Sequence, residues 1–95
     1  MNNSVAIGQT LAERGTTYGK FIEQAEICRG LKNEMHATKG WGKLSADQAE
    51  ALDMIQHKIA RILNGNPNFY DSWHDIAGYA TLVATRLFED QNATE

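Results

Sequence analysis

Apolar residues recur along this chain at helical rather than strand intervals, and the places where that rhythm fails divide it into successive segments. Val5, Ile7 and Leu11 make a weak stripe over residues 4–14, with Ser4 placed to cap it and Gly15 to end it. Thr16 or Thr17 then opens a second helix, predicted over 17–33. In it Tyr18, Phe21, Ile22, Ala25 and Cys28 recur at helical spacing, and Ile27 and Leu31 widen the stripe. Gly30 weakens its last turn by about 1 kcal/mol relative to alanine. The rhythm is lost over 34–45, where Gly40-Trp41-Gly42 reads as a loop held to the body by one aromatic ring.

Ser45 followed by Gln48 is a capping box, because the Gln48 side chain reaches back to the cap's own N–H. It opens a third helix predicted over 46–64, with Leu52, Ile55, Ile59, Ile62 and Leu63 on its stripe. Gly65 suits the left-handed residue that closes a helix, and Pro67 prevents continuation. Asp71 or Ser72 caps a fourth helix over 71–89, striped by Trp73, Ile76, Ala80, Val83 and Leu87, and residues 90–95 should fray. The short connection forces the last two helices into an antiparallel hairpin. No segment sustains strand alternation, so the expected fold is all-α: a single domain over 1–95, a small helical bundle with a C-terminal antiparallel helical hairpin.

Size and charge narrow the classes. A chain of 95 residues buries only about 60 to 65% of the surface its unfolded form exposes. With no disulfide or metal to help, a homo-oligomer is expected to complete the core. Nine Lys+Arg against twelve Asp+Glu give a net charge of −3, and the cations are scattered singly, which argues against duplex nucleic acid as a partner. The lone Cys28 excludes a disulfide framework and points to a reducing cytoplasm. No apolar run approaches the roughly 18 residues of a membrane span. Met1 to Ala6 does not read as a signal peptide.

Chemistry concentrates between Glu50 and Leu82. Lys58 and Arg61 stand three apart before the hairpin turn, and Asp71 and Asp75 four apart after it, spacings that place each pair on one helical face. They are either an interhelical ion-pair lock or a site in which Lys58 and Arg61 grip phosphate oxygens while Asp75 and Asp71 hold a divalent metal or orient a ribose. Gly78-Tyr79 lies one turn beyond Asp75, where a glycine lets another helix or a ligand approach. Tyr79 reads either as a core ring or as a stacking platform for a base, and Trp73 and Trp41 carry the same alternatives. Glu23-x-x-Glu26 is most simply a solvated face, although with Asp71 and Asp75 it could bind Mg²⁺. His57 and His74 have no zinc spacing, and nothing resembles a P-loop.

Three blocks carry a resemblance: RGTTYGKF (Arg14–Phe21), EALDMIQHKIARILNGNP (Glu50–Pro67) and DSWHDIAGYATL (Asp71–Leu82). Together they resemble an uncharacterised family of small phage and prophage proteins over roughly Leu11 to Leu87, which implies a helical, phage-encoded protein of the bacterial cytoplasm. More distantly the layout is similar to MazG-type nucleoside triphosphate pyrophosphohydrolases, whose Mg²⁺ site pairs E-x-x-E on one helix with E-x-x-D on a later one. Glu23 and Glu26 match the first half; in the second, Ser72 stands three residues before Asp75 where an acid is required, and Asp71 is one residue out of place. Three readings follow. One is a phage accessory protein that binds a nucleotide or cyclic nucleotide without turnover, through Tyr18, Lys58, Arg61, Trp73 and Tyr79, and sequesters a host-defence signal. A second is a Mg²⁺-dependent hydrolase using Glu23, Glu26 and Asp75. A third is an interaction module that inhibits a host protein.

Overall fold

The structure is a computed structural model that describes residues 3–93, with side chains from Ala6 onward. It contains α1 (Asn3–Tyr18), α2 (Phe21–His36), α3 (Ala46–Asn64) and α4 (Tyr70–Asn92), with a single 3₁₀ turn at Trp41–Lys43 between α2 and α3. Among the described residues there is no strand, and α3 and α4 pack as a helical hairpin. The all-α class read from periodicity is therefore correct.

The local boundaries differ where capping chemistry was ambiguous. α1 does not end at Gly15 but runs through it to Tyr18. Thr16 and Thr17, read as caps of the next helix, instead donate their hydroxyls back to the Glu13 carbonyl, at 2.7 and 3.3 Å, which satisfies them inside the helix. The chain breaks at Gly19, whose φ of 78° is the only positive value among the described residues. The capping role given to Ser4 falls outside the described side chains. α3 spans the predicted residues and opens as read, with the Ser45 N–H donating to Gln48 Oε1 at 3.0 Å. Gly65 closes it at φ −135°, not in the left-handed region.

α4 starts earlier and ends later than its stripe indicated. Phe69 occupies the cap, so Asp71 lies in the first turn, where the helix dipole favours it, and Ser72 is buried rather than capping. Past Glu89 the helix continues to Asn92, because Arg86 holds Asp90 at 3.0 Å and the Asn92 amide donates to the Phe88 carbonyl at 2.7 Å. The residues expected to fray are thus helical as far as Asn92. In the α2–α3 connection the Trp41 ring lies 4.2 Å from the His36 ring, the single-ring anchor expected there.

α3 is the centre of the molecule. It packs on α2 along one side and on α4 along the other, while α2 and α4 scarcely touch. α1 reaches the others near its C-terminal end, and every described side chain from Ala6 to Thr16 is exposed. The buried apolar residues among those described are small: Cys28, Ala51 and Ala60. Between α2 and α3 the interior is polar, with Gln24 and Gln56 buried. The Gln56 amide donates to the Asp53 carbonyl at 2.9 Å and to Cys28 Sγ at 3.3 Å.

One backbone junction fixes the α1–α2 elbow against the end of α3. The Asn64 amide donates to the carbonyls of Tyr18 (2.9 Å) and Lys20 (3.0 Å), and the Asn66 N–H donates to the Thr17 carbonyl at 2.7 Å. These contacts need bare backbone on both sides. A Cβ at Gly19 would overlap the Asn64 carbonyl, and one at Gly65 would overlap Thr17 and Tyr18 backbone.

Candidate anion-binding site

The elbow creates a pocket of about 410 Å³ where α1, the start of α2 and α3 meet. α1 contributes Arg14 and Tyr18, one turn apart on the same face. Lys20 and Phe21 follow the Gly19 bend, and α3 contributes His57 and Arg61, again one turn apart. The lining holds the cations Arg14, Lys20 and Arg61 and no carboxylate, although the whole chain is net acidic. Two guanidinium groups converge on the Tyr18 ring, Arg61 at 4.4 Å and Arg14 at 5.9 Å from its centroid. Phe69 meets the same ring edge-on at 5.8 Å. Cation–π contact of this kind holds a guanidinium plane in place without consuming its hydrogen-bond donors. Arg61 Nε is enclosed and meets no acceptor among the described residues, a buried donor left unpaired at the pocket wall.

His57 reports the electrostatics of this corner. Burial, and then the positive charges of Arg61, Lys58 and Lys32, hold its imidazole below the usual value, and its Nδ1 lies 3.6 Å from Cys28 Sγ. Because the folded value is depressed, the unfolded chain takes up the proton first as pH falls. Stability is therefore full above about pH 6.5 and declines below it, until the folded value is reached. In urea unfolding at a series of pH values, His57→Gln should flatten this part of the profile, by less than one proton per molecule. A variant whose pH profile overlays the wild type would remove His57 from this account.

The hairpin charges do not form one site. Lys58 Nζ is 2.9 Å from Asp75 Oδ2, and this contact holds the Asp75 carboxyl below the usual carboxylate range. Arg61 turns the other way, onto Tyr18, and Asp71 is exposed at the start of α4. Lys58 and Asp75 are thus the ion-pair lock, and Arg61 belongs to the pocket. For Lys58→Ala, Asp75→Ala and the double variant, chemical denaturation should show a small favourable coupling that weakens as salt is added, as expected of a partly exposed pair.

The remaining sequence-derived residues are dispersed. Tyr79 lines a separate, shallow groove on α4 with His74, Asp75 and Gly78. A Cβ at Gly78 would meet open space, so no helix packs closely there. Trp73 is 55% exposed and donates its indole N–H to the Pro67 carbonyl at 2.8 Å, which pins the hairpin turn. Glu23 and Glu26 are exposed on α2. Among the described residues no three His, Cys, Asp or Glu side chains gather as a metal site, so Glu23, Glu26, Asp71 and Asp75 are not assembled for Mg²⁺ within the chain.

Sequence reasoning passed over Arg14, Lys20 and Arg86. The first two were visible in the RGTTYGKF block, where Arg14 and Tyr18 share a face only if the helix runs through Gly15. Arg86 grips Asp47 through two nitrogens, at 2.7 and 2.9 Å, and with Ser45 holds that carboxyl well below its ordinary value, tying α4 to the start of α3.

This architecture defines a class: a small all-α protein with an aromatic, cation-lined pocket at a helical elbow. Residues 6–87 match the family described as a domain of unknown function, DUF6378, and the chain belongs to that family. No curated protein and no solved structure matches the chain. No helix among the described residues is long and apolar enough to cross a membrane.

Proposed function

We propose that the protein binds a phosphate-bearing ligand, of the nucleotide or cyclic-nucleotide class, in the elbow pocket and does not turn it over. The observation that carries this reading is the pocket lining, with Arg14, Lys20 and Arg61 around Tyr18, no carboxylate, and an enclosed Arg61 Nε lacking an acceptor. A phosphate oxygen would supply the acceptor that Arg61 Nε lacks, Arg14 and Lys20 add positive charge, and the apolar remainder of the pocket, with Phe21 and Leu11, suits a sugar or base. The dispersal of Glu23, Glu26, Asp71 and Asp75 weighs against Mg²⁺-assisted hydrolysis. The proposal includes a homo-oligomer, since no large apolar side chain is buried among the described residues. Through its resemblance to small phage and prophage proteins it extends to a biological role, sequestering a nucleotide signal of host defence in a bacterial cytoplasm.

Calorimetry with cyclic di-AMP, ATP and inorganic phosphate tests the chemistry. A dissociation constant in the micromolar range is expected for at least one nucleotide, with weaker phosphate binding at the same stoichiometry and no pyrophosphate released in the presence of Mg²⁺. Binding no tighter than millimolar for all three would end the reading.

A further inference from the structure

α2 and α4 both pack on α3 and scarcely touch each other, so among the described residues only Cys28, Ala51 and Ala60 are buried apolar side chains, whereas a stable domain encloses a core between packed layers. Along the α3–α4 seam runs an apolar trough formed by Leu44, Leu52 and Ile55 on one side and Ala80, Ala84 and Leu87 on the other. No charged residue lines it, and Leu52, Ala80 and Ala84 are exposed. The opposite side of the same seam carries Asp47 and Glu50 beside Leu82 and so is a poorer candidate for burial.

We infer that this trough is the contact face for a second copy of the chain, two hairpins packing face to face about a two-fold axis. The inference rests on the self-association contained in the functional proposal and not on its ligand.

Surface area selects this occupant. The chain exposes 6984 Å², against about 5,500 Å² for a monomer of 10.6 kDa. The excess of roughly 1,500 Å² is larger than the roughly 800 Å² that each partner gives up in a standard interface. The radius of gyration, 16.9 Å, likewise exceeds the about 12 to 13 Å of a compact domain of this length. A deficit of core in the chain alone is corrected by a partner present whenever the chain is present, which is another copy of it. A two-fold axis also makes the trough its own complement, with the small Ala80 and Ala84 of one hairpin admitting the leucines of the other.

Sedimentation velocity of the full chain without ligand tests this, and calorimetry with inorganic phosphate reads the pocket separately. The wild type should sediment as a dimer at about 10 μM, a concentration chosen from ordinary micromolar interface affinities. Ala84→Glu should weaken self-association at least tenfold while keeping its helical circular dichroism, because Ala84 is exposed within the chain. If that variant fails to fold, Ala80→Glu reads the same trough one turn away. Leu82→Glu, on the other side of the seam and 70% exposed, should leave the dimer intact. A monomeric wild type with a cooperative melt would overturn the inference. So would a dimer that survives Ala84→Glu and Ala80→Glu but dissociates with Leu82→Glu or Leu11→Glu, since it would use another face.

Discussion

Alanine at Gly19 is expected to destabilise the protein by about 3 to 5 kcal/mol, enough to leave a small domain largely unfolded at physiological temperature. Two costs combine. A φ of 78° costs a residue with a Cβ of order 1 to 3 kcal/mol, and the methyl group would overlap the Asn64 carbonyl, which is backbone and cannot step aside. Overpacking of that kind adds a further cost of about 1 to 3 kcal/mol. Gly65→Ala separates the two effects. Its φ is −135°, not positive, and its Cβ would overlap Thr17 and Tyr18 backbone, so its loss should be large without any contribution from a left-handed backbone. Gly15→Ala is the control. Gly15 lies inside α1 with open space where a Cβ would be, and alanine there should stabilise by about 0.5 to 1 kcal/mol. Thermal melts followed by circular dichroism give the comparison. A Gly19→Ala protein melting within about 5 °C of the wild type, the shift expected from only about 1 kcal/mol, would mean that the elbow is not built as described.

The contrast between these glycines also marks what the sequence could disclose. α3 was legible to the residue because independent signals, the capping box at Ser45, the apolar stripe and the Asn64-Gly65-Pro67 stop, agree on its limits. The elbow was not, because Gly15 and Gly19 are equivalent as local breakers, and a helix absorbs one glycine for about 1 kcal/mol. What decides between them is distant: the carbonyl and amide of Asn64 dock on the Gly19 bend, a contact that no local pattern encodes. Gly65 was singled out correctly but for the wrong reason. Its demand is for space beside α1, not for a left-handed backbone.

The apolar stripes gave helix positions and misjudged burial. Phe21, Ile22 and Leu63 lie on them, yet are 78, 63 and 67% exposed, because periodicity reports that a face exists and not whether a second layer covers it. The site was half legible for a related reason. Lys58 and Arg61 are three residues apart, which separates their directions by about 60° around the helix axis. On a surface helix that difference is immaterial. On a central helix flanked on both sides it sends Lys58 to α4 and Arg61 to α1, so that one pair of neighbouring cations serves two purposes.

That division makes Arg61→Leu the substitution with the largest expected effect on binding. It removes a guanidinium fixed 4.4 Å over Tyr18 and replaces an enclosed donor without an acceptor by an apolar group of similar length. The free protein should therefore lose little stability, since no hydrogen bond is broken at Nε and a buried unsatisfied group disappears. The complex loses at least one charge-assisted bond worth about 1.5 to 3 kcal/mol, equivalent to a roughly 10- to 150-fold weaker dissociation constant. Arg61→Lys should fall between, because it restores the charge but not the planar fork that stacks on tyrosine and meets two phosphate oxygens at once. Lys58→Leu should bind within about threefold of the wild type, since its ammonium is committed to Asp75 and contributes only a screened, longer-range potential. Calorimetry of the three variants with the tightest nucleotide found for the wild type distinguishes the two clusters. Binding lost in Lys58→Leu and kept in Arg61→Leu would return the site to the α3–α4 hairpin and leave the elbow pocket a purely structural junction.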